Sequence, residues 1–277
     1  MKTPFPKLEL IQHNMHLPIA EGAYVWRYMN FKKLWNLLAD NELYFARLDT
    51  FEDPLEGIDI DDRKQIELLA LKRDGINPLF RDSFDRISVS SETYNRKRQL
   101  WFASCWFLTE AIDTGDSPHF ESVAMWKYLS DTNTFVVKLS FSELLALFAK
   151  SAENYAGEDA SSAWYGKVEY LNFFEQAFKR GNGQKFFVPL LKDKSFYFEN
   201  ELRLLLNCND KKKAENRKGI KIPISEIQSF GLEVFAHPDI DDHLFEMFRE
   251  KLATIGYRLQ YSALITKKVA EKILRFT

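Results

Sequence analysis

Strands and helices interleave along this chain without a regular βαβ beat and without a Gly-x-Gly-x-x-Gly loop. Those two observations, joined to a 45% apolar and 15% aromatic composition built for packing, predict an α+β fold rather than a doubly wound nucleotide fold. The 277 residues carry no internal repeat, Ser/Gly linker or composition break, so residues 1–277 are read as a single domain.

Residues 24–29 (Tyr-Val-Trp-Arg-Tyr-Met) read as a strand, and Asn30 then caps a helix whose Phe31, Leu34, Trp35 and Leu38 recur at helical spacing. Residues 43–46 return as a second strand. Asp49, Glu52, Asp53, Glu56, Asp59, Asp61 and Asp62 follow with no base among them, an acidic loop around Asp53-Pro54 that is more often solvated than ligand-holding. Residues 63–98, broken at Gly75 and Pro78, read as a helical insertion. Strands are then expected at 100–107, 135–139, 196–206, 220–224, 232–236 and 257–262, and helices at 121–129, 142–151 and 239–252, with a short helix closing the chain.

The charge balance of 38 basic against 40 acidic residues argues against broad electrostatic binding of nucleic acid. A local basic run, Lys211-Lys212-Lys213 with Arg217, Lys218 and Lys221, reads as a solvated turn or as a contact for RNA phosphates. No apolar run reaches the roughly 18 residues of a membrane helix, and residues 1–10 lack the apolar core of a signal peptide. Two cysteines, Cys105 and Cys208, are too few for a disulfide framework, and a reduced, cytoplasmic setting is expected. The histidines show no HxxxH or HExxH spacing, so no metal site is expected.

Three groups of residues carry candidate chemistry. Period-two geometry over 196–206 sends Tyr197, Glu199, Glu201 and Arg203 to one strand face, with the two carboxylates about 7 Å apart. That face is either a salt-paired surface or a catalytic Glu-x-Glu. Arg27 shares its strand face with Val25 and Met29, and an arginine among apolar neighbours wants an anion, either one of the protein's own acids or a ligand phosphate gripped by its fork. Ser104-Cys105-Trp106, followed by Glu121, Ser122 and Trp126, forms the third group. There Cys105 is a poor nucleophile, because apolar neighbours raise a thiol pKa.

Taken together, Tyr28, residues 43–46 running on to Phe51-Glu52-Asp53-Pro54-Leu55-Glu56, Ser104-Cys105-Trp106, residues 121–128 and Phe198-Glu199-Asn200-Glu201-Leu202-Arg203 resemble a bacterial domain-of-unknown-function family met in phage-defence and toxin–antitoxin neighbourhoods. That family usually has Asn where Glu52 stands. The order of Arg27, Ser104 and Glu199-x-Glu201 is similar, more distantly, to the Arg-Ser-Glu layout of ADP-ribosyltransferases, whose serine lies in a Ser-Thr-Ser run absent here. The resemblance implies an ADP-ribosyltransferase-like domain, a mixed or antiparallel split sheet with flanking helices, that uses NAD as substrate and modifies an RNA or protein acceptor, with an antitoxin as a possible partner.

It also implies the site. Cleaving the nicotinamide–ribose bond passes through an oxocarbenium-like sugar, so a carboxylate must stabilise positive charge, and Glu201 is that group. Glu199 would orient or deprotonate the acceptor. Arg27 and Ser104 would hold the cofactor, and Tyr28, Tyr44 or Trp126 would pack on the nicotinamide. Two other readings stay open: a metal-dependent nuclease using Asp53, Glu56, Glu199 and Glu201, and a non-catalytic antitoxin or sensor whose Glu/Arg face docks a partner.

Overall fold

Alternation in the strand sequences sorts apolar side chains to a common core, and the sheet follows from it. In the computed structural model, which describes residues 10–13, 17–53, 55–58, 98–110, 121–129, 131–155, 160–172, 187–208, 210, 214, 216–224, 227–264 and 266–275, ten strands form one mixed sheet. Its main path runs β1 (Leu10–Gln12), β6 (Ser162–Lys167), β9 (Glu201–Asn207), β4 (Trp101–Thr109), β2 (Tyr24–Asn30), β5 (Thr134–Ser140), β11 (Glu233–Ala236) and β12 (Leu259–Tyr261). β3 (Glu42–Arg47) and β10 (Gly219–Pro223) branch from β4, while β7 (Glu169–Leu171) and β8 (Leu191–Asp193) form a separate parallel pair. β1 with β6 and β11 with β12 are parallel, and the remaining ladders of the large sheet are antiparallel. The α+β expectation is met.

The ladder around β4 positions the site. One edge pairs with β9 from Trp101 to Phe107. The other edge is shared: β3 pairs at Phe102 and Ala103, and β2 pairs at Phe107, Leu108 and Thr109. The sheet therefore forks, with Ser104, Cys105 and Trp106 at the crotch.

The helices are held by caps the sequence writes plainly. Asn30 accepts from the Lys33 amide at 3.0 Å and starts α1 (Phe31–Leu38), which buries Leu34, Leu37 and Leu38. Ser140 and Glu143 reciprocate as a capping box at the head of α3 (Phe141–Tyr155). Asp241 caps α4 (Asp242–Ala253). α2 (Val123–Leu129) follows Ser122, whose hydroxyl accepts from the Met125 amide, and α5 (Lys267–Arg275) is the last element. No helix among the described residues is long and apolar enough to cross a membrane.

Two expectations change. The strand expected over 196–206 exists only from Glu201: Lys194–Glu199 is a 3-10 helix, and Asn200 ends it in the left-handed region at φ 36. Asn tolerates that conformation better than most residues, and here its side chain is tied to the Leu108 carbonyl at 2.6 Å. Strands β6, β7 and β8 lie in a stretch whose sequence shows no strand periodicity. The helical insertion expected at 63–98 falls outside the described residues except for Arg98, and so does the triple-lysine run at 211–213.

Candidate functional site

Antiparallel register places directly opposed residues on the same face, so Cys105 stands beside Arg203 and Phe107 beside Glu201. This face opens into a cavity of about 500 Å³. Rings of Tyr28, Phe51, Trp106, Phe107, Tyr128 and Phe196 wall it, and Glu52, Asp53, Glu56, Lys192, Glu199 and Glu201 supply its charge. A second cavity of about 730 Å³ adjoins it across Tyr28, Phe51 and Cys105. Arg27, Lys32, Lys33 and Lys221 line that one, with Tyr44, the Asn30 cap and one acid, Glu42, which is paired with Lys221. The fork thus holds an acidic, ring-walled chamber beside a basic one.

In the acidic chamber three carboxylates meet two cations. Arg203, wholly buried, donates through Nε to Glu201 Oε2 at 2.8 Å, with Nη2 2.6 Å from the same oxygen, and through Nη1 to Glu56 Oε1 at 2.7 Å and the Pro189 carbonyl at 2.9 Å. Lys192 Nζ pairs tightly with Glu199 Oε2 and lies 3.5 Å from Glu201 Oε1 and 3.9 Å from Glu56 Oε2. Burial works against ionisation of Glu201, but Arg203 and then Lys192 outweigh it and hold that carboxyl down at about 2. Glu199 moves the other way: burial, and then the charge of Glu201, push it up to about 7. Two neighbouring carboxyls are split into a permanent anion and a group that titrates near neutrality, the division of labour acid–base chemistry uses.

Local structure explains how these groups arrive. The left-handed Asn200 turns the chain between Glu199 and Glu201, so both carboxylates reach Lys192 although only Glu201 is on a strand. Lys192 comes from β8, whose partner β7 carries Tyr170, and the Tyr170 hydroxyl accepts from the Glu201 amide at 2.9 Å. Asp53 closes the turn that swings Glu56 inward, its Oδ1 accepting from the Leu55 amide and its carbonyl from the Glu56 amide. Gly57 follows at φ 69, where an added Cβ would crowd Leu48 at 3.1 Å and Arg98 at 3.3 Å. Glu56 is therefore a buried member of the site and not part of a solvated acidic stretch, and neither it nor Lys192 is marked by strand or helix periodicity.

Arg27 crosses the fork. Its Nη2 donates to the Tyr44 carbonyl at 2.9 Å, and its guanidinium lies over the Trp106 ring at 5.4 Å. Burial pushes it down to about 10, and no carboxylate among the described residues pairs with it. Of the two anions open to it from sequence, the protein's own acid is not the partner found here. Tyr44 lies across Gly219, where a Cβ would come within 2.2 Å of its hydroxyl. Tyr28 lines both chambers.

Two of the residues proposed to contact cofactor are elsewhere. Ser104 opposes Leu204, is fully buried on the core face, and accepts from Trp106 Nε1 at 3.1 Å; strand parity gives its expected place in the cleft to Cys105. Trp126 is buried behind Tyr28, edge-on at 4.9 Å, and donates to Glu121 Oε2; Met125 and Tyr128 line the chamber instead. Burial, ahead of the Glu201 charge, pushes the Cys105 thiol far above its usual range, which disfavours the thiolate that nucleophilic attack needs. No set of three or more His, Cys, Asp or Glu side chains among the described residues is arranged to hold a metal ion. No family model, curated protein or solved structure matches this chain.

Proposed function

We propose that the protein is an NAD-dependent ADP-ribosyltransferase with an ADP-ribosyltransferase-like split sheet, and that the fork holds the dinucleotide. The observation that carries this reading is the pairing of unlike chambers: an anionic, aromatic one around Glu201 and a basic one around a half-buried Arg27 that no carboxylate among the described residues pairs with. NAD is divided in the same way, with a pyridinium at one end and a diphosphate in its middle. Nicotinamide and its ribose go to the acidic side, and the diphosphate goes to Arg27.

The C1′–N bond breaks with its electron pair leaving on nicotinamide, which becomes neutral, while positive charge develops on the ribose. Glu201 Oε2 is held by Arg203, while Oε1 has only a long 3.5 Å contact from Lys192, and Oε1 grips a sugar hydroxyl as that charge grows. The acceptor nucleophile then bonds to C1′ and releases its proton to Glu199. An RNA or protein acceptor in the cytoplasm, a toxin role in a defence locus and an antitoxin partner accompany this reading through family resemblance. Incubating the pure protein with NAD labelled in the adenylate, with and without cell extract, tests it: release of nicotinamide with label entering RNA or protein supports the reading, and NAD left intact in every mixture overturns it. In the competing binding-module reading, the Arg203–Glu201 pairing only shapes a docking face, and Glu201→Gln then retains whatever effect the parent has in cells.

A further inference from the structure

The floor of the acidic chamber is not electrically closed. Among the described residues, Glu56, Glu199 and Glu201 meet Lys192 and Arg203, Arg98 adds a cation on the side of Glu56 and Asp53, and Glu52 and Asp53 add further acid at the wall. One oxygen shows where the imbalance falls. Glu56 is 1% exposed, its Oε1 is held by Arg203, and its Oε2 is buried with no hydrogen-bond partner among the described residues. A buried carboxylate oxygen left so is costly unless something arrives to meet it.

We propose that this chamber is a recognition site for a flat organic cation, with Glu56 as the residue that selects for positive charge. The walls fit such a ligand: aromatic faces attract cations, and two already do so here, Phe196 under Lys192 at 4.8 Å and Phe51 under Arg203 at 5.7 Å. A divalent metal ion fits less well, because the Lys192 ammonium occupies the point where the three carboxylates converge. The inference rests on the transferase reading for its natural ligand, oxidised NAD, and sharpens it: the site discriminates the pyridinium from its reduced, uncharged form. Charge neutralisation of the ring as the C1′–N bond breaks then weakens the hold on the departing nicotinamide.

The test uses the intact protein and two small probes of nearly the same shape, the 1-methylnicotinamide cation and neutral 1-methyl-1,4-dihydronicotinamide, titrated calorimetrically. The cation should bind about tenfold tighter or better, and Glu56→Gln should erase most of the difference. Equal affinities in the parent protein overturn the proposal, and that comparison stands even where the variant fails to fold. So does displacement of the cation by millimolar Mg²⁺ or Ca²⁺. Nicotinamide release from NAD is measured in parallel. Charge-selective binding without NAD turnover leaves the cation site standing and removes the transferase reading; NAD turnover with equal probe affinities does the reverse.

Discussion

The two faces of the β4–β9 pair are buried alike and built on opposite principles. One face carries Phe102, Ser104, Trp106 and Leu108 against Leu202, Leu204 and Leu206, and it packs into the main core. The other carries Cys105 and Phe107 against Arg203 and Glu201, and Arg203 is as fully buried as Leu204. Apolar burial contributes about 1.5–3 kcal/mol for each large side chain without needing any partner of its own. Charge burial contributes only while the whole constellation is present, since each ion has lost its water and depends on its neighbours. The first face makes the sheet stable, and the second makes a site.

The comparison breaks most sharply at Arg203. Removing it leaves Glu56 and Glu201 as uncompensated buried anions, so Arg203→Ala should cost about 3–5 kcal/mol in chemical denaturation. That is no less than Leu204→Ala, which opens a core cavity at about 2–5 kcal/mol. Denaturation curves showing under about 1 kcal/mol for Arg203→Ala would mean that the cluster is hydrated and not a buried network.

A second break separates catalysis from folding. Glu201→Gln keeps the shape of the side chain and loses the charge, and NAD cleavage should fall about 10²–10³-fold while the circular dichroism spectrum persists. The neighbouring carboxyl gives a pH signature. With Glu199 pushed up to about 7, its base form accumulates only above that pH, so transfer should rise through neutrality and Glu199→Gln should flatten that limb. A rising limb that survives in the variant assigns it to another group.

Arg27→Lys sharpens the contrast between the two chambers. A lysine keeps positive charge but not the fork, and NAD affinity should fall about tenfold with little change in folding stability. An unchanged affinity in titration would make Arg27 a strut that ties the Tyr44 carbonyl across the fork.

What the sequence shows follows the same division. The core face is legible because alternation and the helix caps are local: Val25 and Met29, Leu202, Leu204 and Leu206, Asn30 and Asp241 can each be placed from their neighbours alone. The charged face was legible only in part. Glu201 and Arg203 are two apart on one strand, and period two pairs them. Glu199 joins them through a left-handed Asn200 inside a stretch whose alternation mimics a strand, and Lys192 comes from a three-residue strand with no periodicity to find. Glu56 sits in a run of acids whose usual fate is solvation, and only the turn at Asp53 and Gly57 sends it inward. Such residues are chosen by tertiary partners, and a one-dimensional pattern carries no record of them. The Asn200 turn was the recoverable signal, since Asn between two charged residues at a strand start is a recognised left-handed former.

Ser104 offers the smallest effect and the cleanest separation of family resemblance from strand geometry. The Arg-Ser-Glu resemblance makes it a cofactor contact, so on that account Ser104→Ala should weaken NAD binding. Register places its hydroxyl on the core face under Trp106 Nε1, opposite Leu204 and turned from both chambers. The expected result is therefore a loss of about 1 kcal/mol in stability, from an indole N–H deprived of its acceptor, with KM for NAD unchanged. Alanine at Cys105, which opposes Arg203 and lines both chambers, should instead alter KM while leaving the fold intact. If Ser104→Ala raised KM and the Cys105 variant did not, the parity of β4 would have to be shifted by one residue, and with it every assignment on the charged face.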